Sequence, residues 1–153
     1  MKLSGIGPLL AIVGGVSSIF LFMLKKRIGF EIQLQSPWRE VMFVLGVVCA
    51  IVGVIFWIFS VIQVKRAYAS HALETKGVYH FSRNPLYAAF IVFIIPAVAF
   101  LIDNLLLLMI SVIMFGVFKS QIKKEENFLS KEFGQDYRKY TKEVTQLIPF
   151  LRI

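Results

Sequence analysis

The chain has 153 residues, of which 58% are hydrophobic, and its net charge is +8. A mean hydropathy of +0.74 excludes an ordinary water-soluble domain and indicates one compact unit that lies largely in a bilayer. The basic residues stand beside apolar runs, so we assign them to membrane orientation and anionic headgroups and expect no nucleic-acid partner. The single cysteine, Cys49, excludes an intrachain disulfide.

Four apolar segments predict an all-α integral membrane protein that forms a single membrane domain over residues 1–153. In chain order they are residues 5–24, 41–62, 86–102 and 105–118. Crossing a bilayer takes about 20 apolar residues, so the first two segments suffice, whereas the last two need a tilt or a locally thin bilayer. Only Asp103 and Asn104 separate the last two, and we therefore expect a tight helical hairpin.

The basic residues also predict how the chain is oriented. With the N-terminus, residues 63–85 and residues 119–153 in the cytoplasm, most basic residues lie inside, as membrane proteins prefer. The cluster Lys25-Lys26-Arg27 would then lie outside. A first segment that crosses incompletely would remove this conflict.

Small residues recur at helical spacing in the first two segments. They are Gly7, Ala11 and Gly15, followed by Gly46 and Ala50. Small side chains let helices approach closely in lipid. We interpret these positions as internal packing sites, with homodimerisation as the alternative.

A polar strip, residues 71–87, separates the second and third segments. Asparagine suits a helix N-cap and proline suits the first helical position, so Asn84 and Pro85 predict that the third helix starts at Pro85. The first backbone N–H groups of a helix have no intrahelical partner and suit a carboxylate or phosphate. Arg83 adds forked donors beside them, although it could instead extend to lipid headgroups.

A second polar strip lies in the tail, residues 119–153, which we expect to be helical up to Gly134 and again over about residues 136–143. Glu125 and Glu126 point about 100° apart on a helix, so only one is expected to face a site. Its carboxylate would pair with a ligand cation, or else with neighbouring lysines or solvent.

Aromatic and apolar residues complete the tail. Tyr137 and Tyr140 could stack on a heterocycle or anchor the tail at the membrane interface. The apolar residues from Val144 to Phe150 are expected to return to the membrane surface or to cover a cavity. The chain has no glycine-rich nucleotide loop, and its histidines, His71 and His80, have no paired cysteines that would support a zinc site.

The two strips resemble the two signatures of the isoprenylcysteine carboxyl methyltransferase family, whose architecture related phospholipid methyltransferases share. The first strip reads His71-Ala-Leu-Glu-Thr-Lys-Gly77-Val-Tyr79 and continues as Arg83-Asn84-Pro85-Leu-Tyr87. The second reads Glu125-Glu126-x-x-Leu129-x-x-x-Phe133-Gly134-x-x-Tyr137-x-x-Tyr140, followed by Val144 and Ile148-Pro149. Both stand in the family's order around a membrane hairpin, over about half of the chain.

The resemblance implies an integral membrane enzyme that uses S-adenosylmethionine, releases S-adenosylhomocysteine and keeps its site on the cytoplasmic side. It implies Arg83 and Glu126 as catalytic residues. The cofactor contacts that it implies are Leu73, Gly77, Tyr79, Arg83, Asn84, Pro85, Tyr87, Glu125, Glu126 and Tyr137.

The chain departs from the family pattern in two places. Asn84 stands where the family often has histidine, which weakens the assignment of a prenylcysteine substrate. Gln121 and the lysines at 123 and 124 stand where arginine is common, although Lys119 could take an equivalent basic role.

The favoured function is methyl transfer to a lipid-like or prenylated acceptor, as O-methylation of a carboxylate. A carboxylate needs no general base, whereas an amine, thiol or phenol would need one, with His80, His71 or a glutamate as candidates. The alternatives are a phospholipid N-methyltransferase, a non-catalytic four-span membrane scaffold with a lipid-binding basic tail, and a membrane reductase with a nicotinamide cofactor. The enzymatic hypotheses require the two polar strips to meet.

Overall fold

The structure, a computed structural model, describes residues 6–28 and 35–148. Four helices make up most of these ranges: α1 (Gly7–Ile28), α2 (Trp38–Ser70), α3 (Pro85–Leu101) and α4 (Leu108–Glu143). Short 3₁₀ turns at Gly77–His80 and Leu105–Leu107 precede α3 and α4. No strand occurs in the described ranges, and the all-α prediction is confirmed.

Three helices are long and apolar enough to cross a bilayer, namely α1, α2 and the helix that contains α4, while α3 is apolar but shorter. Many of their large apolar side chains, such as Phe22 and Val48, are exposed, as lipid contact requires. The count of four full crossings, the transmembrane hairpin and the single domain over residues 1–153 stay predictions. Gly5, Pro149 and Phe150 lie outside the described residues.

Helix α3 is not a regular α-helix along its length. An α-helical turn at Pro85–Ala88 is followed by a π-helical stretch at Ala89–Ile94 and an α-helix at Ile95–Leu101. Pro96 lacks an N–H, and in a regular helix its ring would collide with the carbonyl four residues back. The wider π turn just before Pro96 accommodates this conflict.

Helices α2 and α3 are in close contact through glycines. A Cβ at Gly53 would lie 2.8 Å from Ile94 Cγ1 and 2.9 Å from Phe93 Cβ, and one at Gly46 would lie 3.0 Å from Phe100 Cβ. Gly46 therefore packs within the chain, as the small-residue pattern predicted. Homodimerisation stays a prediction, and a Cβ at Gly15 would meet nothing within 4 Å.

The turn between α3 and α4 lies at the amino end of α2. Arg39 of α2 forms a 3.4 Å ion pair with Asp103, and the Asn104 side chain accepts a hydrogen bond from the Leu106 N–H. The first residues of α3 and the polar half of α4 consequently lie at the opposite end, near the carboxyl end of α2. Both polar strips are thereby brought to one end of the helix bundle.

The buried core lies where α1, α3, α4 and the tail meet. Its residues are Leu10, Ala88, Ile91, Ile110, Met114, Phe118, Ile122 and Leu147. A second cluster at the polar end contains Tyr137, Tyr140 and Val144. Between these clusters α4 is interrupted at Gly134, whose φ of 55° and ψ of −121° are non-helical. The predicted break at Gly134 is thus confirmed, and the tail packs over the helix bundle.

Substituting alanine for Gly53 should destabilise the protein by about 1–3 kcal/mol, because the added methyl group overpacks the contact between α2 and α3. Thermal unfolding in detergent measures the change. Gly116→Ala is the matched control, since a Cβ there meets nothing within 4 Å and alanine favours a helix. A Gly53→Ala protein as stable as the control would contradict the close packing.

Candidate active site

A cavity of about 200 Å³ lies between the carboxyl end of α2, the 72–85 loop, the start of α3 and the polar half of α4. Most of the residues expected at a site border it. They are Leu73, Tyr79, Arg83, Asn84, Pro85, Tyr87, Glu125 and Tyr137. Gly77 and Glu126 do not line this cavity. The two polar strips therefore meet in space.

Gly77 allows the first strip to pass close to α2. Its φ of 58° lies in the left-handed region that favours glycine, and a Cβ there would collide with the side chain of Gln63. The Gln63 Oε1 in turn accepts a hydrogen bond from the Val78 N–H at 3.3 Å. Gly77 thus shapes the strip by its packing against α2.

Arg83 and Glu126 join the two strips directly. The Arg83 Nη1 lies 2.7 Å from the Glu126 Oε1, and the side chains are only 13% and 21% exposed. The Arg83 Nε is buried and has no hydrogen-bond partner in the described part of the chain. Arg83 is therefore directed into the protein, in contrast to the alternative of an arginine extended to lipid headgroups.

Asn84 has a different role from the predicted helix cap. Helix α3 begins at Pro85 as expected, but the Asn84 side chain makes no cap hydrogen bond. Its Nδ2 instead donates to the backbone carbonyl of Gln146 at 2.8 Å. The tail offers a tertiary acceptor, and this contact replaces the local cap.

Glu125 and Glu126 diverge, as their helical spacing predicted. Glu125 borders the cavity, where the Tyr87 hydroxyl donates to its Oε2 at 3.4 Å, while Glu126 turns to Arg83. Glu125 lies beyond Phe118, where the apolar part of α4 ends. Burial raises the pKa of the Glu125 carboxyl, with a smaller rise from Glu126, whereas hydrogen bonds from Tyr87 and the backbone of Ile6 act in the opposite direction.

Hydrogen bonds hold the tail against the loop that precedes α3. The Arg83 N–H donates to the Thr145 carbonyl at 2.9 Å, and the Thr145 hydroxyl donates to the Phe81 carbonyl at 3.1 Å. The Tyr140 hydroxyl donates to the Tyr79 carbonyl at 2.6 Å. Val144 and Leu147 of the tail are themselves buried. Residues 144–147 thus pack against the loop and the core, but none of them lines the cavity, so the expectation that the tail covers a cavity stays a prediction.

Sequence reasoning missed Gln146 and Glu74. The Gln146 Oε1 accepts from the Lys119 Nζ at 2.9 Å, and its Nε2 donates to the Glu126 Oε1 at 2.9 Å. Glu74 borders the cavity and accepts from the Lys76 N–H at 3.0 Å. The apolar residues from Val144 onward indicated that the tail packs back on the protein, but they gave no sign that Gln146 would contact Lys119 and Glu126.

The histidines considered as bases lie elsewhere. His71 ends α2 in a left-handed conformation, and both His71 and His80 are exposed and line a neighbouring polar groove with Lys139 and Glu143, not the cavity itself. Within the described ranges, no cluster of three or more His, Cys, Asp or Glu residues is placed to hold a metal ion. A proton acceptor at the cavity would therefore come from its carboxylates.

Comparisons with known proteins agree with these features. A family model described as phospholipid methyltransferase matches residues 40–136, more than half of the chain. The probable protein-S-isoprenylcysteine O-methyltransferase of Oryza sativa subsp. indica is 27% identical over 132 residues, which are 79% of this chain and 69% of that protein. The protein-S-isoprenylcysteine O-methyltransferase of Schizosaccharomyces pombe is 30% identical over 93 residues, which are 61% of this chain and 39% of that protein.

A solved structure shares the fold. It is that of the eukaryotic intramembrane Ras methyltransferase, an isoprenylcysteine carboxyl methyltransferase, and it matches with a TM-score of 0.66 and 24% identity. The match covers 98% of this chain and 54% of that one, so the chain spans about half the length of the solved protein. The expectation of a membrane methyltransferase is confirmed, and the chain belongs to the phospholipid methyltransferase family.

Proposed function

We propose that the chain transfers a methyl group from S-adenosylmethionine to the carboxylate of a prenylated or otherwise lipid-like acceptor. The observation that carries the proposal is the 2.7 Å contact between Arg83 and Glu126, which unites the two strips at one cavity. Matches to protein-S-isoprenylcysteine O-methyltransferases support a prenylated acceptor. The exposed apolar surface of the helices supports delivery of such an acceptor from the membrane.

The residues at the cavity fit the charged groups of this cofactor. The buried Arg83 Nε is an unused donor in the described part of the chain, and with the first N–H groups of α3 it suits a carboxylate. Glu125 borders the same cavity, and the described residues include no ion-pair partner for it, so it suits an ammonium. Leu73, Tyr79 and Tyr137 provide apolar and aromatic walls.

The net charge around the cavity also favours a cationic ligand. Glu74 and Glu125 border it, whereas the charge of Arg83 is balanced by Glu126. S-adenosylmethionine would supply an electrophilic methyl group on its positively charged sulfur. The residues of the chain would align the acceptor and exclude water, since a carboxylate acceptor needs no general base.

Lys119 is the proposed cation for the acceptor carboxylate. It follows the buried Phe118 at the end of the apolar part of α4, where a lipid-borne group would arrive. Gln146 holds its ammonium at 2.9 Å and links it to Glu126. Arg83 and Glu126 are the proposed catalytic pair, with Asn84, Pro85 and Gly77 shaping the cofactor site.

Phospholipid N-methylation is the second candidate, and the description of the matching family model favours it. An amine acceptor suits a cavity bordered by carboxylates but must lose a proton. Glu125 is then the candidate proton acceptor, because it borders the cavity and burial raises its pKa.

The proposed orientation keeps the cavity on the cytoplasmic side. Most basic residues lie at the N-terminus, in residues 63–85 and in residues 119–153, which this orientation places in the cytoplasm. Membrane lipids surround the spans in this arrangement. A homodimer is compatible with the small residues of α1 that have open space around them.

Arg83→Ala and Glu126→Ala should each weaken cofactor affinity by about 1.5–3 kcal/mol. The first removes the charge-assisted contact proposed for the cofactor carboxylate, and the second removes the ion-pair partner that holds Arg83 in place. Titration calorimetry of the detergent-solubilised protein with S-adenosylmethionine measures this. Arg138→Ala and Glu132→Ala are matched controls, since both residues are exposed on the same part of α4. Unchanged affinity in both site variants would contradict the site assignment, and no heat with the unmodified protein would favour a scaffold.

The acceptor class follows from the chemistry of the transferred methyl group. We expect label from the cofactor to appear on an S-prenylated cysteine derivative with a free carboxylate, in an ester that mild alkali cleaves. The same derivative with its carboxylate amidated is the control. Alkali-stable label on phosphatidylethanolamine vesicles would instead establish N-methylation.

Glu125→Gln should stabilise the ligand-free protein near neutral pH. The folded-state pKa of Glu125 is raised above the ordinary value of 4.5, so its ionisation disfavours the folded state as the pH rises through the raised pKa. Below the ordinary value the carboxyl is neutral in both states, and the advantage of the variant should vanish. Melting temperatures over this range test the effect, and Glu132→Gln, at an exposed position, should show no such trend.

A further inference from the structure

Gln146 lies between two groups of opposite charge that flank the site. Its Oε1 accepts from the Lys119 Nζ at 2.9 Å, and its Nε2 donates to the Glu126 Oε1 at 2.9 Å. The ammonium can only donate and the ionised carboxylate can only accept, so a flipped amide would lose both bonds. The orientation of the Gln146 side chain is therefore fixed by its two partners.

The backbone of Gln146 is fixed as well. Its carbonyl accepts from the Asn84 Nδ2 at 2.8 Å, and the preceding carbonyl of Thr145 accepts from the Arg83 N–H. The following residue, Leu147, is 3% exposed and packs in the core with Phe118. Gln146 thus reaches the site from a segment beyond residue 136, where the family match ends.

The ion pair that Gln146 supports leaves part of the arginine unused. Arginine and carboxylate side chains often pair through two parallel hydrogen bonds. Here the same Glu126 Oε1 contacts both the Arg83 Nη1 and the Gln146 Nε2, while the buried Arg83 Nε has no partner among the described residues. The bond to Gln146 opposes a shift of Glu126 onto this Nε.

We propose that Gln146 is a positioning residue of the methyl-transfer site, whose amide holds Glu126 on the outer nitrogen of Arg83 and so keeps the Arg83 Nε free for the cofactor carboxylate. This inference rests on the proposed function. Through the other end of its amide, Gln146 also restrains Lys119.

Two substitutions separate this role from simple packing. Gln146→Leu removes both side-chain hydrogen bonds and releases Glu126 to close over the Arg83 Nε. Gln146→Glu keeps the shape of the side chain. The introduced carboxylate, when ionised, repels Glu126 and pairs with Lys119. When it is protonated, it can again donate a hydrogen bond to Glu126. Among the described residues, the charged and polar groups around this position are Lys119, Glu126 and Tyr137 from α4 and Arg83 and Asn84 from the loop before α3.

The test is calorimetric binding of S-adenosylmethionine to the full-length protein in detergent, from about pH 5 to pH 8, with melting temperatures alongside. We expect Gln146→Leu to weaken binding about tenfold across this range. Gln146→Glu should weaken it at the upper end and recover toward the lower end, relative to Gln146→Leu. Gln135→Leu, at an exposed position of α4, is the matched control and should bind like the unmodified protein.

Coupling to Glu126 is the second measurement. In a Glu126→Ala background, Gln146→Leu should add little further loss, because the residue that it positions is gone. Full additivity, unmodified affinity in Gln146→Leu, or a pH-independent loss in Gln146→Glu would each overturn the role of Gln146 while leaving the proposed function intact. Absence of binding by the unmodified protein would overturn both. If Gln146→Leu does not fold, the pH profile of Gln146→Glu decides alone.

Discussion

The contact between Arg83 and Glu126 is the interaction on which the site depends. Removing two charges from water is costly, and close geometry with further hydrogen bonds is needed to offset that cost. Both conditions are met here, because the ions are 2.7 Å apart and Gln146 donates to the same carboxylate. Such a pair adds little net stability, but it specifies which part of α4 faces the loop before α3. Loss of either partner would leave a largely buried charge uncompensated.

The meeting of the two strips could be predicted because it follows from chain length and local signals. Pro85 marks the start of α3, and the apolar arms on either side of Asp103 and Asn104 are similar in length. A turn between two such arms returns the chain to the level at which it began, which brings Glu125 and Glu126 near Arg83. The break at Gly134 was predictable for a similar reason, since glycine readily adopts a positive φ.

The finer arrangement of the site depends on contacts that local sequence does not encode. The Asn84 side chain contacts the Gln146 carbonyl because the tail passes beside it, and a tertiary acceptor then replaces the local cap. Gln146 belongs to no recognisable motif, and the role proposed for it rests only on its position between Lys119 and Glu126. Gly77 matched a family signature, yet its evident constraint is the nearby side chain of Gln63.

The π-helical stretch of α3 changes how far one end of the helix is rotated about its axis relative to the other end. One residue of an α-helix corresponds to a rotation of about 100°, so a single deletion within Ala89–Ile94 that restored a regular helix would turn one end relative to the other. The end that packs on Gly46 and the end that carries Pro85 and Tyr87 could then no longer face their present neighbours together. The wider turn thus sets the rotation between the two ends of α3. One short helix can therefore pack on α2 at one end and border the polar cavity at the other.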